Sequence, residues 1–212
     1  MQRYWEVQGY QLNVFEKSPL AKYIANGKLP AAADTAQKAN MFAKSVEVLT
    51  AHQWHRLSNN HWRQTNRERN IYNELGKSAC DCLAFGCGSG GRLKGYGFMM
   101  NRSLADWSAG VDAGLKPVMV MTAPGPNWAL LRTVSSDMES GAINLPCISE
   151  RFGVDVDALT REVTSQWEEA GLVTRTGDWL VQTVAGQFWH VTLAQLLVDL
   201  IGKALRKEAL AA

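Results

Sequence analysis

The sequence is short of the features that define several large protein classes. It has no run of about 18 apolar residues, so no segment has the length and hydropathy of a bilayer-spanning helix. Neither sign of charge is in excess: 22 basic and 20 acidic side chains leave a net +2 over 212 residues. That balance gives a nucleic acid or an anionic membrane no electrostatic footing. The opening MQRYWEVQGY lacks the basic and apolar regions of a secretory signal, and the expectation is a cytoplasmic protein. Cysteine is scarce, with Cys80, Cys82, Cys87 and Cys147 and no C-x-x-C. The C-x-C-x4-C spacing of the first three does not match the usual zinc or iron–sulfur patterns, and a fourth ligand is remote. In a reducing compartment these thiols are expected to be free, so no metal ligand is assigned.

What is present suits a folded α/β protein. A 46% hydrophobic and 20% charged composition supports a packed core. Eight tryptophans, among them Trp5, Trp54, Trp62 and Trp107, are expected to pack between elements. Glu6 to Phe15 reads as a strand from its Val, Tyr and Phe content. Ser18-Pro19 opens a short helix that stops at Asn26-Gly27. Ala36, Ala39, Phe42, Ala43, Val46 and Leu49 recur at helical spacing over Thr35 to Ala51. Asn59 to Asn73 reads as a polar loop, Leu83 to Phe85 as a short buried strand and Arg92 to Met100 as another strand. Ser103 caps a helix through Val111. After a composition change near Lys116 to Pro124, helices are expected at Asn127 to Met138 and Asp157 to Ala170. A hairpin at Leu172–Arg175 and Trp179–Thr183 follows. The last helix is expected to bury Leu193, Leu196, Leu197, Leu200 and Ile201 on one face. Helix, helix, hairpin and helix together make a small winged-helix-like module.

Gly86-Cys87-Gly88-Ser89-Gly90-Gly91 satisfies G-x-G-x-x-G, and glycine lets a backbone approach a ligand closely. A dinucleotide loop needs a helix immediately after it, whereas Arg92 to Phe98 reads as a strand, so the Rossmann reading fails. The kinase reading fails as well, because no HRD or DFG sequence is present. A tight bend at a sheet edge remains the structural alternative to a ligand loop. His52, His55 and His61 lie near one another in sequence and could ligate haem or a metal, or simply pack. Arg63, Arg67 and Arg69 could pair with carboxylates such as haem propionates, or form a solvated loop.

Three segments carry a family resemblance. Tyr10-Gln11-Leu12 followed by Glu16-Lys17-Ser18-Pro19-Leu20-Ala21 resembles a late barrel strand running into a helix. Asn70-Ile71-Tyr72 resembles an Asn-x-x-Tyr-Trp stretch. Asp81-Cys82-Leu83-Ala84-Phe85-Gly86-Cys87-Gly88-Ser89 is similar to a D-x-L-G-x-G-x-[GS]-A-x-S motif. In this order they resemble the oxygen-independent coproporphyrinogen III oxidase-like radical SAM family, and most of all its anaerobic haem-degrading branch. The resemblance implies the end of a partial (β/α) barrel over residues 1–118 and a winged-helix-like domain over residues 119–212. It also implies S-adenosyl-L-methionine (SAM), a [4Fe–4S] cluster, a tetrapyrrole substrate and an electron donor such as flavodoxin or a reductase, with neither nucleic acid nor membrane as partner. The reaction expected is haem methylation with ring opening and iron release; coproporphyrinogen decarboxylation is the alternative within the family.

Carried over by position, the resemblance places Gln11 at SAM's adenine and Tyr72 and Gly90 at a second SAM. Gly86, Gly88 and Ser89 would line the same pocket through backbone N–H groups. The family's C-x3-C-x2-C cluster motif and early glycine-rich SAM motif do not occur in this sequence. The expectation is therefore the C-terminal part of such an enzyme, inactive by itself. Outside the family, the competing expectations are a winged-helix binding module or a non-catalytic remnant. Against a DNA-reading module, the helix at Asp157 to Ala170 sets Arg161 against Asp157, Glu162, Glu168 and Glu169.

Overall fold

The computed structural model describes residues 6–78 and 80–211. Strand β1 (Glu6–Gln8) pairs antiparallel with β3 (His61–Arg63), which pairs in turn with β2 (His55–Ser58). Between β1 and β2 run helices α1 (Pro19–Ala25) and α2 (Thr35–Ala51). Both are started by local chemistry. The Ser18 hydroxyl accepts from the Ala21 N–H with Pro19 in the first turn. Asp34 and Gln37 form a reciprocal capping box, with bonds of 2.8 and 3.0 Å. Helix α3 (Ile71–Lys77) then leads to a second antiparallel sheet, ordered β4 (Gly90–Leu93), β5 (Tyr96–Met100) and β6 (Val118–Thr122). Helix α4 (Leu104–Asp112), capped by Ser103, lies between β5 and β6.

The rest of the chain forms α5 (Trp128–Ser140), β7 (Ala142–Asn144), α6 (Leu145–Phe152), α7 (Val156–Glu169), β8 (Val173–Thr176), β9 (Trp179–Gln182), α8 (Val184–Phe188) and α9 (His190–Ala211). The three strands order as β7-β9-β8, again antiparallel. The buried apolar cluster lies here: Leu130, Val134 and Met138 of α5 meet Ile143, Leu145, Ile148, Trp167, Leu180, Leu197 and Ile201. Among the described residues before Asn127, Trp62 is the one fully buried apolar side chain. Trp54 and Trp107 are partly buried, and Trp5 lies outside the described residues.

Contacts nevertheless cross the composition change. The Asn59 side chain donates to the Met138 carbonyl at 2.9 Å, Arg132 Nη2 donates to the Gly76 carbonyl at 2.7 Å, and the Phe42 and Phe188 rings lie 6.0 Å apart. No described helix is long and apolar enough to cross a membrane.

Several expectations change. The strand expected over Glu6 to Phe15 ends at Gln8, because β3 offers no partner beyond the Gly9 N–H bond to the Asn60 carbonyl. Leu83 to Phe85 is not a buried strand; a single bridge joins Cys82 to Arg92, and Phe85 is 85% exposed. Arg92 to Met100 is two strands rather than one. Its Lys94-Gly95 turn has positive φ at both central residues, the conformation that matches strand twist in a tight hairpin. The Asn59–Asn73 loop holds β3 and the start of α3, and β6 and α8 are additional elements. On α9 the inward face is Leu193, Ala194, Leu197 and Ile201, while Leu196 and Leu200 are exposed. Every described strand pair is antiparallel, so the parallel pairing of a (β/α) barrel is not itself formed by these residues.

Two tests follow from this packing. Leu197→Ala, at the centre of the core, should cost about 2–5 kcal/mol in denaturant unfolding. Burial raises the Asp137 carboxyl above the ordinary aspartate range, with the Arg151 charge opposing it. The folded state therefore holds that proton more tightly, and stability rises as pH falls through the raised value. Asp137→Asn should be modestly more stable than the parent at neutral pH, with the difference shrinking as pH is lowered in thermal unfolding.

Candidate functional site

The glycine segment is a shaped turn followed by a strand. Gly86 and Gly88 have φ of +95° and +69°, the left-handed region open to glycine. The Gly88 N–H donates to the Asn101 carbonyl at 2.8 Å, and both the hydroxyl and the N–H of Ser89 turn back to the Gly86 carbonyl. Those backbone donors are therefore spent inside the protein, which corrects the expectation that Gly88 and Ser89 offer them to a ligand. Gly91 has a different reason to be glycine. The Cys82–Arg92 bridge passes so close that a Cβ on Gly91 would lie 2.7 Å from the Cys82 carbonyl oxygen and 2.5 Å from the Phe98 ring.

One face of the β4-β5-β6 sheet and helix α3 border an open cavity of about 610 Å³, a size suited to a small molecule. Tyr72 and Gly76 form one wall, Gly90, Gly91 and Arg92 another, and Met99, Arg102 and Val120 the floor. The structure thus brings Tyr72 and Gly90 together, as their expected common site requires. Tyr72 is 77% exposed, which leaves its side chain open to a planar ligand. Gly86, Gly88 and Ser89 lie outside this lining. Gln11 lies elsewhere, in a groove of about 390 Å³ against Met41, Phe42 and Val46 of α2.

The charged lining of the cavity is cationic: Arg92 and Arg102, with no carboxylate among the lining residues. Arg92 is held by the Trp128 ring 5.3 Å away and by the Ser78 carbonyl at 3.1 Å. Behind it, Arg132 is shifted below the ordinary guanidinium range by burial and then by the Arg92 charge, with Glu139 opposing. Two guanidinium groups in an apolar recess suit a ligand that carries a carboxylate. Sequence reasoning did not single out Arg92 or Arg102. Their signal was weak, since isolated arginines in a strand and a loop look like ordinary surface.

The other sequence candidates do not converge on this cavity. His52 Nδ1 lies 2.8 Å from the Val48 carbonyl at the end of α2, and His55 is an exposed strand residue. His61 is buried, its Nδ1 2.6 Å from Asn70 Oδ1 and its Nε2 3.1 Å from Glu6 Oε2. Arg63 is half-buried and Arg67 and Arg69 are exposed, all away from the cavity lining. All four cysteines are free, and none belongs to a cluster of metal-ligating atoms among the described residues.

The close approach at Gly91 generates a test. Gly91→Ala should destabilise the sheet by about 1–3 kcal/mol through overpacking. It should also raise the reactivity of the half-buried Cys82 thiol toward a disulfide reagent, measured beside thermal unfolding.

No family model matches the chain. It is 34% identical over 193 residues to anaerobilin synthase of Escherichia coli O157:H7, a match covering 91% of this chain and 42% of that protein. The fold is similar to that of the radical SAM enzyme coproporphyrinogen III oxidase from Escherichia coli. That superposition has a TM-score of 0.61 at 13% identity and covers 78% of this chain and 42% of the other. The chain is thus similar in sequence to anaerobilin synthase and in fold to coproporphyrinogen III oxidase, and it spans less than half the length of either.

Proposed function

We propose that this chain is the C-terminal portion of a radical SAM enzyme acting on a tetrapyrrole, and that the reaction is anaerobic haem degradation by SAM-dependent methylation, ring opening and iron release. The observation that carries this reading is the 34% identity to anaerobilin synthase over nearly the whole chain, against 13% to coproporphyrinogen III oxidase. Residues 1–118 are assigned to the end of the barrel and 119–212 to the winged-helix-like C-terminal domain.

The cysteines do not fit the cluster. Cys80 and Cys147 are exposed, Cys82 and Cys87 half-buried, and none shares a ligand group with another among the described residues. No step is assigned to an iron–sulfur centre on this chain, and both cluster and electron donor are assigned to the remainder of the enzyme. The cavity beside Tyr72 and Gly90 has the volume for part of a SAM-sized ligand, which supports the reading. In this reading Tyr72 stacks on a planar ring, Arg92 and Arg102 orient a carboxylate, and the Gly90–Gly91 backbone sets the depth of the recess. SAM supplies the methyl group when bound. Gly86, Gly88 and Ser89 act by holding the turn that aims β4, and Gln11 belongs to a separate groove.

Two measurements test the proposal. Reconstituted anaerobically with iron and sulfide, the chain alone should show no [4Fe–4S] absorption, and a reducible cluster there would overturn the division of labour. Co-expressed with a segment bearing C-x3-C-x2-C, it should support SAM-dependent loss of the haem Soret band. Consumption of coproporphyrinogen III with haem untouched would transfer the chain to the decarboxylating branch.

A further inference from the structure

A polar cluster on the β1-β3 sheet lies apart from the cavity described above. His61 is 3% exposed, yet it sits between two carboxylates, Glu6 from β1 and Glu68 from the segment before α3. One ligand-type atom from each of the three lies within 4.8 Å of the other two. The strand register brings this about: Gln8 stands opposite His61, so Glu6, two residues along the same face, reaches it diagonally.

The hydrogen bonds around the ring decide what the cluster can hold. Asn70 Oδ1 accepts from Asn73 Nδ2 at 2.7 Å, which fixes that atom as an acceptor, and it lies 2.6 Å from His61 Nδ1. Asn73 Nδ2 also lies 3.5 Å from His61 Nδ1, but the shorter contact to Asn70 Oδ1 makes Nδ1 the donor to that oxygen and leaves Nε2 to face the carboxylates. Nε2 lies 3.1 Å from Glu6 Oε2, a separation that either a proton or a metal ion between the two atoms satisfies. The arrangement has the form of a metal-ligating histidine: one ring nitrogen held by an amide or carboxyl oxygen, the other aimed at the ion. Glu68 is already oriented, since its Oε1 accepts from the Asn70 backbone N–H. The Glu6 side chain is 47% exposed, which leaves the site an entry path and room for water.

We propose that Glu6, His61 and Glu68 bind a divalent first-row transition metal through His61 Nε2 and one oxygen of each carboxylate, with water completing the coordination. One imidazole with two carboxylates suits zinc, iron(II), manganese or cobalt(II) better than a thiolate-selecting ion. The site is independent of the tetrapyrrole reading and stands whether or not that reading does.

Cobalt(II) tests it on the full chain, because its spectrum reports the ligand type. One equivalent should bring visible d–d bands without thiolate-to-cobalt charge transfer and should raise the thermal midpoint. Glu68→Gln and Glu6→Gln keep side-chain size and hydrogen bonding, and circular dichroism establishes that each is folded. Each should weaken cobalt binding at least tenfold and lose the thermal shift. His61→Ala should abolish binding, but it removes a buried ring, so the glutamate variants carry the decision. Three results overturn the proposal: no d–d bands at millimolar cobalt, undiminished affinity in both glutamate variants, or a spectrum dominated by thiolate charge transfer. The first would assign the space between Nε2 and Glu6 to a proton.

Discussion

The C-terminal end of α5 is the joint on which the arrangement depends. The Met138 carbonyl, in the last turn of that helix, has no acceptor role left within the helix ladder. It receives the Asn59 side chain at 2.9 Å, the Gln182 side chain at 2.8 Å and the Gly141 N–H at 3.3 Å. Asn59 comes from the first sheet and Gln182 from the last, and both are buried. The neighbouring Glu139 carbonyl accepts the Asn59 N–H at 3.1 Å, which doubles the link. A buried amide left without its partner costs more than the bond itself contributes, so the two sheets hold their places on α5 together.

The apolar packing is uneven, and that unevenness shapes the functional reading. The core gathers on α5, α6, α7, α9 and the last sheet, while the first two sheets keep much of their apolar surface open. Strand β6 is an edge strand whose residues Val118 to Thr122 are exposed on both faces. On the sheet face opposite the Tyr72 cavity lies an apolar groove of about 620 Å³ lined by Leu83, Phe85, Tyr96, Phe98, Met100 and Met121. Open edges and bare apolar faces are surfaces that proteins ordinarily cover.

The helices were legible because their signals are local. The Asp34–Gln37 capping box, the Ser103 cap and the Gly171 stop all act within a few residues of the helix they bound. Strands were read less well. β6 has β-favouring residues, but its place comes from pairing with β5, and β3 exists because β1 and β2 flank it. The hairpin inside Arg92 to Met100 turned on Lys94, an unusual residue for positive φ, whose N–H is tied to the Asp81 carboxylate at 2.6 Å. At the site, the placement of a strand after the glycines was correct, and the fate of the glycine N–H groups was hidden because Asn101 lies thirteen residues beyond Gly88.

Composition and local pattern by themselves determined helices α1, α2, α4, α5, α7 and α9, the strand after the glycines and the absence of a membrane-length apolar run, but not α3, α6 or α8. They also carried the family likeness, since the order of short motifs survives where tertiary contacts cannot be seen. Only the tertiary structure decided which candidates meet. Tyr72 and Gly90 share a cavity because α3, packed on α5, stands across it from the sheet, and Gln11 is left in another groove. His61, plain in the sequence, acquired Glu6 as a partner 55 residues away through strand register. The reason is physical: caps and turns are written in neighbouring residues, whereas a site made by strand pairing and helix packing exists once distant segments have been buried against one another.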